Sequence, residues 1–344
     1  MLKLRRATVV SVSPLKVEIE GVERRAWADP GLVGECELGD DVIVNVEALD
    51  LGLGSGGFDI VHVNLTRGLA GEGSLDEHVM KLNYSSLQHP VGSIERPVDD
   101  EAGAGRDMKI PVLAIGLHGH LAPAAWAVAE RARREGRRRP RVGYIQTGGG
   151  ALPGAFSRDV RRLLDLDLVA GHVTAGPAYG GQAEAITLVG AIDAAESLAW
   201  DAVIAGPGPG ILGSATVYGH GGMVALDVAH SGLSLGAPVV LSPRLSSGDP
   251  RPRHQGLSHH SRSVLKLLLA GVDVPLPEGR EDLAGAVAEI GEGRHRAVFE
   301  PVDIAGYAAS GLPRSTMGRD IEEDPEFFSG PLAAGSRLSD LAVG

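Results

Sequence analysis

DAVIAG at 201–206, followed by PGPGILGSATVYGHGG at 207–222, is the stretch on which the fold turns. A short, nearly unbroken apolar run is a strand buried on both faces, and the glycine- and hydroxyl-rich segment after it is a loop leading toward a helix. The pattern recurs upstream in IPVLAI (110–115), RVGYIQ (141–146) and LDLVAGHV (166–173), and downstream in APVVLS (237–242) and RAVFEPV (296–302). Between these runs lie Ala- and Leu-rich stretches of helical spacing, notably Ala122 to Arg134, Ala183 to Ala199, and Ser263 to Ala270 with Gly271 as its stop. Strands alternating with helices predict a parallel sheet covered on both faces, and six strands are too few for an eight-stranded α/β barrel. The expected fold is therefore an open, doubly wound, mostly parallel α/β sheet of the Rossmann-like type.

Ahead of it, ATVVSV, KVEIEG, RRAWAD, DDVIVNV and FDIVHVNL crowd five short β-branched runs between Ala7 and Leu65, the pattern of a small β-barrel. The expected organisation is a barrel-like domain at 1–65, a linker at 66–107 packing on the next domain, the α/β domain at 108–312, and a tail or lid at 313–344. Within the linker, Met80, Leu82, Tyr84 and Leu87 are expected to bury, and Asp99 to Glu101 forms an acidic patch.

The chain has 344 residues and a net charge of −12, which disfavours a general binder of nucleic acid or anionic membrane. Arg131 to Arg141 holds seven arginines in eleven residues; a solvated helix end is the ordinary reading and an RNA patch the rival one. Cys36 is the single cysteine, which excludes an intrachain disulfide and fits a reducing compartment. No apolar run reaches the length of a signal peptide core or a membrane span, so a cytoplasmic location is expected.

Ligands of open α/β sheets bind beyond the carboxyl ends of the strands, and seven of the twelve histidines fall in the loops expected there. His118 and His120 follow the first run in an H-x-H spacing that suits a divalent metal. Gly148, Gly149 and Gly150 follow the second and could make a nest of N–H groups for an anion. Tyr179 and Gln182 follow the third; Gly208, Gly210, Ser214 and Thr216 follow the fourth. The fifth leads into RLSSGDPRPRHQGLSHHSRS at 244–263, with Arg244, Arg251 and Arg253 as holders of an anion, His254, His259 and His260 as general acid or base, and Asp249 as the orienting carboxylate.

Familiar nucleotide and nucleophile motifs fail. None of the five lysines has the spacing of a phosphate-binding P-loop. Gly208, Gly210 and Gly213 match G-x-G-x-x-G, but Pro207 and Pro209 interrupt it and the next strand ends in Ser242 instead of an acid. GLSLG at 232–236 has the spelling of a nucleophile elbow but precedes a strand instead of following one.

The segments GGGALPGAFS (148–157), GHVTAGPAYGGQAEA (171–185), GPGPGILGSATVYGHGG (206–222) and DPRPRHQGLSHHSRSVL (249–265) together resemble an uncharacterised bacterial family, domain of unknown function 3866. The likeness runs from the N-terminal strands to MGRDIEEDPEFF at 317–328. It implies that the site-like loops form one signature and supplies no reaction.

The leading expectation is a cytoplasmic hydrolase or group transferase acting on a small phosphorylated or otherwise anionic metabolite, with Ser214 or Thr216 orienting the substrate. The alternatives are a regulatory protein that binds a nucleotide-like ligand without turnover and, more remotely, an RNA-associated protein. A homodimer is expected only because dimers are the commonest oligomers.

Overall fold

The computed structural model describes residues 1–54, 56–71, 73, 77–97 and 107–342. The chain forms two compact units, Met1–Gly92 and Ser93–Gly344. The expected acidic patch at Asp99 to Glu101 lies outside the described residues.

In the first unit, β1 (Leu4–Val12), β2 (Leu15–Ile19), β3 (Val22–Trp27), β4 (Asp41–Asn45) and β5 (Asp59–Asn64) close into a barrel in the order β1-β2-β3-β5-β4. Period-two alternation drives it: Ala7 and Val9, Val17 and Ile19, and Val42 and Val44 all point into one small core. Short helical turns α1 (Pro30–Val33) and α2 (Glu47–Asp50) bridge strands. The hairpin of β6 (Val79–Lys81) and β7 (His89–Val91) ends the unit. There Met80 and Tyr84 are exposed, contrary to the expectation that they bury; the two-stranded ribbon leaves one face to solvent.

In the second unit the strands are β8 (Val112–Ala114), β9 (Val142–Thr147), β10 (Gly171–Ala175), β11 (Ala183–Ala185), β12 (Ala202–Pro207), β13 (Val239–Leu241), β14 (Leu245–Ser246), β15 (Gly256–Leu257), β16 (Asp273–Pro277), β17 (Arg296–Glu300), β18 (Ser315–Thr316) and β19 (Arg319–Asp320). The helices are α3 (Leu121–Arg134), α4 (Arg158–Asp165), α5 (Leu188–Asp193), α6 (Val224–Ser234), α7 (His259–Leu267), α8 (Asp282–Ile290), α9 (Ile304–Ala308) and α10 (Pro325–Leu341). Eight strands form one sheet in the order β11-β10-β9-β12-β8-β13-β16-β17, with parallel pairings throughout. A mixed α/β fold with an N-terminal barrel and a parallel sheet is thus what the chain adopts.

Each of the six apolar runs enters the sheet, and two strands escaped notice. β16 reads DVPLP, and prolines argue against a sheet interior, yet it lies between β13 and β17. β11 was absorbed into the expected helix Ala183 to Ala199; residues 183–185 pair with β10, and the helix begins only after Thr187, whose hydroxyl caps Gly190 N at 2.9 Å. The sequence also misplaced the helix expected at Ser263 to Ala270, because Ser258 is its N-cap and His259 and His260 are its first two residues.

Small residues set the spacing of the layers. A Cβ at Gly143 would lie 1.8 Å from the Trp200 ring, and Gly171 meets the same indole, so Trp200 lies against bare backbone at the ends of β9 and β10. The tail is core rather than appendage: Phe327 and Phe328 are buried on α10, which packs along α3. The arginine-rich segment is neutralised locally. Arg131 pairs with Glu135 and Asp340, Arg133 with Glu130, Arg134 with Glu130 and Asp303, Arg137 with Asp340, and Arg138 with Asp201. Acids from several elements thus answer five of the seven arginines, which weakens the RNA reading. Among the described residues no helix is long and apolar enough to cross a membrane.

Candidate functional site

The chain reverses its direction of winding at the centre of the sheet: from β8 it proceeds toward β9, whereas from β13, on the other side of β8, it proceeds toward β16. Such a switch point opens a crevice at the carboxyl edge. The loops after β8, β12 and β13 meet there around a cleft of about 300 Å³, lined by Leu117, Thr216, His220, Arg244, Arg251, Arg253, His254, His259, His260 and Met317 among others.

Its floor is a cluster of four imidazoles. His220 and His260 stack with centroids 3.7 Å apart and planes 9° apart. His259 stands edge-on to His260 at 4.4 Å, and His254 lies 4.8 Å from His259 and 5.0 Å from His260. Local structure explains three of the four positions. Ser258 ends an extended segment and caps α7, which projects His259 and His260 from the first turn, and its hydroxyl also hydrogen-bonds His254 Nδ1 at 2.7 Å. His220 comes from the opposite wall, in the glycine-rich loop after β12.

Arginines surround the imidazoles. Arg244 is 4% exposed and donates from Nη1 to His260 Nδ1 at 3.0 Å; because guanidinium only donates, that nitrogen is the acceptor and the His260 proton sits on Nε2. Burial holds all four rings below the ordinary histidine value. His254 is lowered to about 3 by burial and then by Arg244 and Arg251. His260 falls to about 2 by burial and then Arg244, and His220 to about 4 by burial and then His259. His259 shifts the same way, through burial and then Arg253. Each of these rings is therefore harder to protonate than a free imidazole. Neither nitrogen of buried His220 reaches hydrogen-bond geometry with a described residue, although the Val217 carbonyl is near enough to favour its protonated form slightly.

Asp249 does not orient a histidine. It accepts from Arg251 Nε and Nη2 at 2.8 and 2.7 Å, from Arg244 Nη2 at 3.3 Å and from Arg319 Nη2 at 3.4 Å, and the hydrogen bonds and charge of Arg251 hold its carboxyl far below the usual range. Arg319 and Asp324 were not foreseen, because they lie some seventy residues downstream. Asp324 accepts from Ser246 Oγ, the Ser247 and Gly248 amides and Arg319 Nε, tying the tail to the β14 loop. Arg253 is exposed at the rim and forms no ion pair with a described residue.

Other expected site residues go elsewhere. His118 and His120 do not form a metal pair: His118 bonds Pro207 O and Ser157 Oγ, while His120 bonds Ser242 Oγ and meets the Phe327 ring edge-on. Both rings are buried, and His120 Nε2 has no hydrogen-bond partner among the described residues. Gly148 and Gly149 line a second cleft of about 410 Å³ with Thr147, Pro177, Leu188 and Val224, so the glycine run does not join the arginines; only His220 lines both clefts. The glycines are needed because loops touch backbone to backbone: a Cβ at Gly150 would lie 2.1 Å from Gly208 O, and one at Gly208 would lie 2.2 Å from Ala151 O. Gly210 has φ +72°, a turn conformation. Ser214 and Thr216 bond each other and Gly219 within the loop, with Thr216 on the cleft wall. Gln182 accepts from the His172 amide, and Tyr179 is fixed by backbone bonds to Leu152 and Gly154 beside β10.

The model of a family described as "Protein of unknown function (DUF3866)" matches residues 25–335. The chain belongs to the DUF3866 family. The DUF3866 match spans the parallel sheet, the four-imidazole cluster and the tail residues Arg319 and Asp324. No curated protein and no solved structure matches the chain.

One substitution tests the loop packing that presents His220. A Cβ at Gly221 would sit 1.9 Å from Gly149 O, so Gly221→Ala is expected to cost about 2–3 kcal/mol in urea unfolding. A neutral result would show that the two loops separate freely.

Proposed function

We propose that the cleft binds a small phosphorylated or otherwise anionic metabolite and that the protein is an enzyme of the hydrolase or group-transferase class acting on it. The observation that carries this is the charge balance: Arg244, Arg251, Arg253 and Arg319 gather around two carboxylates, Asp249 and Asp324, leaving an excess of two positive charges at a cleft of about 300 Å³. That excess in a protein of net charge −12 calls for an anion. Guanidinium offers paired donors to phosphate oxygens, and Arg253, with no carboxylate partner among the described residues, is the arginine with the most to gain.

In this reading Arg253 and Arg251 hold the anion at the rim and Arg244 holds its inner oxygen. Thr216 stands on the wall, and its hydroxyl must leave Ser214 to reach the ligand. His259, on which Arg253 is the strongest charge, accepts a proton from the attacking water or hydroxyl, with the His254 ring 4.8 Å away.

The test is calorimetric titration with inorganic phosphate and with a panel of phosphorylated metabolites. Arg253→Ala is expected to weaken binding by about 10- to 100-fold, the value of one charge-assisted hydrogen bond. Equal affinity in the variant would move the anion elsewhere. Tight binding with no turnover of any bound compound, unchanged by His259→Ala, would favour the ligand-binding regulator instead.

A further inference from the structure

We infer that His220, His259 and His260 form a binding site for a divalent transition-metal ion whose open position faces the arginine-lined cleft. Each of the three residues offers one ring nitrogen, and these nitrogens all lie within 4.8 Å of one another. Among the described residues no other group of three histidine, cysteine or acidic side chains is so placed. Zinc bound by imidazole has Zn–N of about 2.0–2.1 Å, which in a tetrahedron puts nitrogens roughly 3.3 Å apart. Side-chain rotation would therefore have to draw these nitrogens together for the cluster to close on an ion.

Two details support a ligand here over a packed core. His220 is 7% exposed and has no hydrogen bond at either nitrogen among the described residues, an arrangement that leaves buried polar atoms unsatisfied. The cluster also lines a cleft instead of filling one, so the ion has an entry path. The stack must open for this to happen. Lone pairs of parallel rings 3.7 Å apart do not converge, so the His220 ring has to rotate out of its stack on His260. Flanking Gly219, Gly221 and Gly222 place no side chains beside it.

The donor set identifies the ion class and its need for an anion. Three neutral nitrogens and no carboxylate suit zinc, cobalt, nickel or copper and not magnesium or calcium. Three protein ligands leave a position open, the pattern of catalytic rather than structural zinc. Arg244 donates to His260 Nδ1 at 3.0 Å and repels a cation, so the guanidinium has to turn away toward the anion before that ring has a lone pair to offer the ion. The ion is held best when an anionic group bridges it and the arginines. This bridging rests on the reading of the arginine shell given above; the metal site itself does not, and an ion held by His259 replaces that ring's role as base.

The experiment uses the full chain stripped with EDTA and titrated with Zn²⁺ by calorimetry and with Co²⁺ by visible absorption. One equivalent is expected, with the intense visible bands of four-coordinate cobalt. His220→Ala and His259→Ala are each expected to weaken uptake at least tenfold, His259 being the safer of the two because its ring is partly exposed. Arg253→Ala should leave the stoichiometry at one. Inorganic phosphate should tighten Co²⁺ binding about fivefold or more, and Co²⁺ should tighten phosphate equally. Uptake far below one equivalent, or uptake unchanged in both histidine variants, overturns the site; phosphate that competes with Co²⁺ overturns the bridging. Phosphate binding to the stripped protein reports on the arginines alone, so failure of the metal site is distinguishable from failure of the proposed function.

Discussion

Asp249→Asn is expected to lower the free energy of unfolding by about 3–5 kcal/mol, the range for removing one partner of a buried ion pair. Asp249 has no exposed surface and is the carboxylate that answers Arg244, Arg251 and Arg319 together. Two of these arginines have an escape. The Arg251 side chain is 42% exposed and can turn to water, and Arg319 keeps Asp324. Arg244 has neither; its side chain is 5% exposed, and burial already lowers its pKa to about 10 against the pull of Asp249. Asparagine keeps the shape and loses the charge, so the cost falls mainly on Arg244. The same change adds one unit of positive charge to the cleft, and phosphate affinity is expected to rise several-fold while stability falls. Urea unfolding and phosphate titration of one variant check both halves. A loss below about 1 kcal/mol would mean that water reaches Arg244.

The second large effect is with pH. His120 and His172 are buried, and their values are lowered to about 3 and about 4, by burial first and then by Arg244 and His118 respectively; His118 shifts the same way through burial. Unfolded, each ring takes up a proton near pH 6.5. Their folded values are depressed, so the stability they contribute is whole above pH 6.5 and is lost as the pH falls toward 4 and 3. At pH 5 the unfolded chain gains about 1.5 pKa units per ring, roughly 2 kcal/mol each at 1.36 kcal/mol per unit and about 4 kcal/mol for the pair. A fall in Tm on the order of 10 °C between pH 7.5 and pH 5 is expected. A flat profile over that range would show that these rings are solvated. The unpartnered Nε2 atoms of His120 and His172 are the places where acid would enter.

The sequence was most informative where side-chain pattern decides backbone. Runs such as DAVIAG and DDVIVNV have one reading because a strand buried on both faces and a strand buried on one leave different periodicities, and both sheets followed from them. It failed at DVPLP and at Ala183 to Ala185, where strand pairing overrode prolines in one case and helical composition in the other. From the segment Arg244 to His260, whose density of arginine and histidine stood out, the structure gathers Arg244, Arg251, Arg253, His254, His259 and His260 at one cleft. The same cue misjudged His118 and His120, whose burial depends on Ser157, Ser242 and Phe327, residues that local sequence does not place beside them.

By itself, then, the order of amino acids determined the two kinds of sheet, the edge at which the chemistry gathers, and the cationic character of one loop. The tertiary structure alone decided which histidines meet. It brought His220 onto His260 across forty residues, sent Gly148 and Gly149 to a separate cleft, and recruited Arg319 and Asp324 from the tail. The physical reason is range: strand and helix patterns come from neighbours within a few residues, whereas the field and burial that set a side chain's role come from groups the fold brings together from distant parts of the chain.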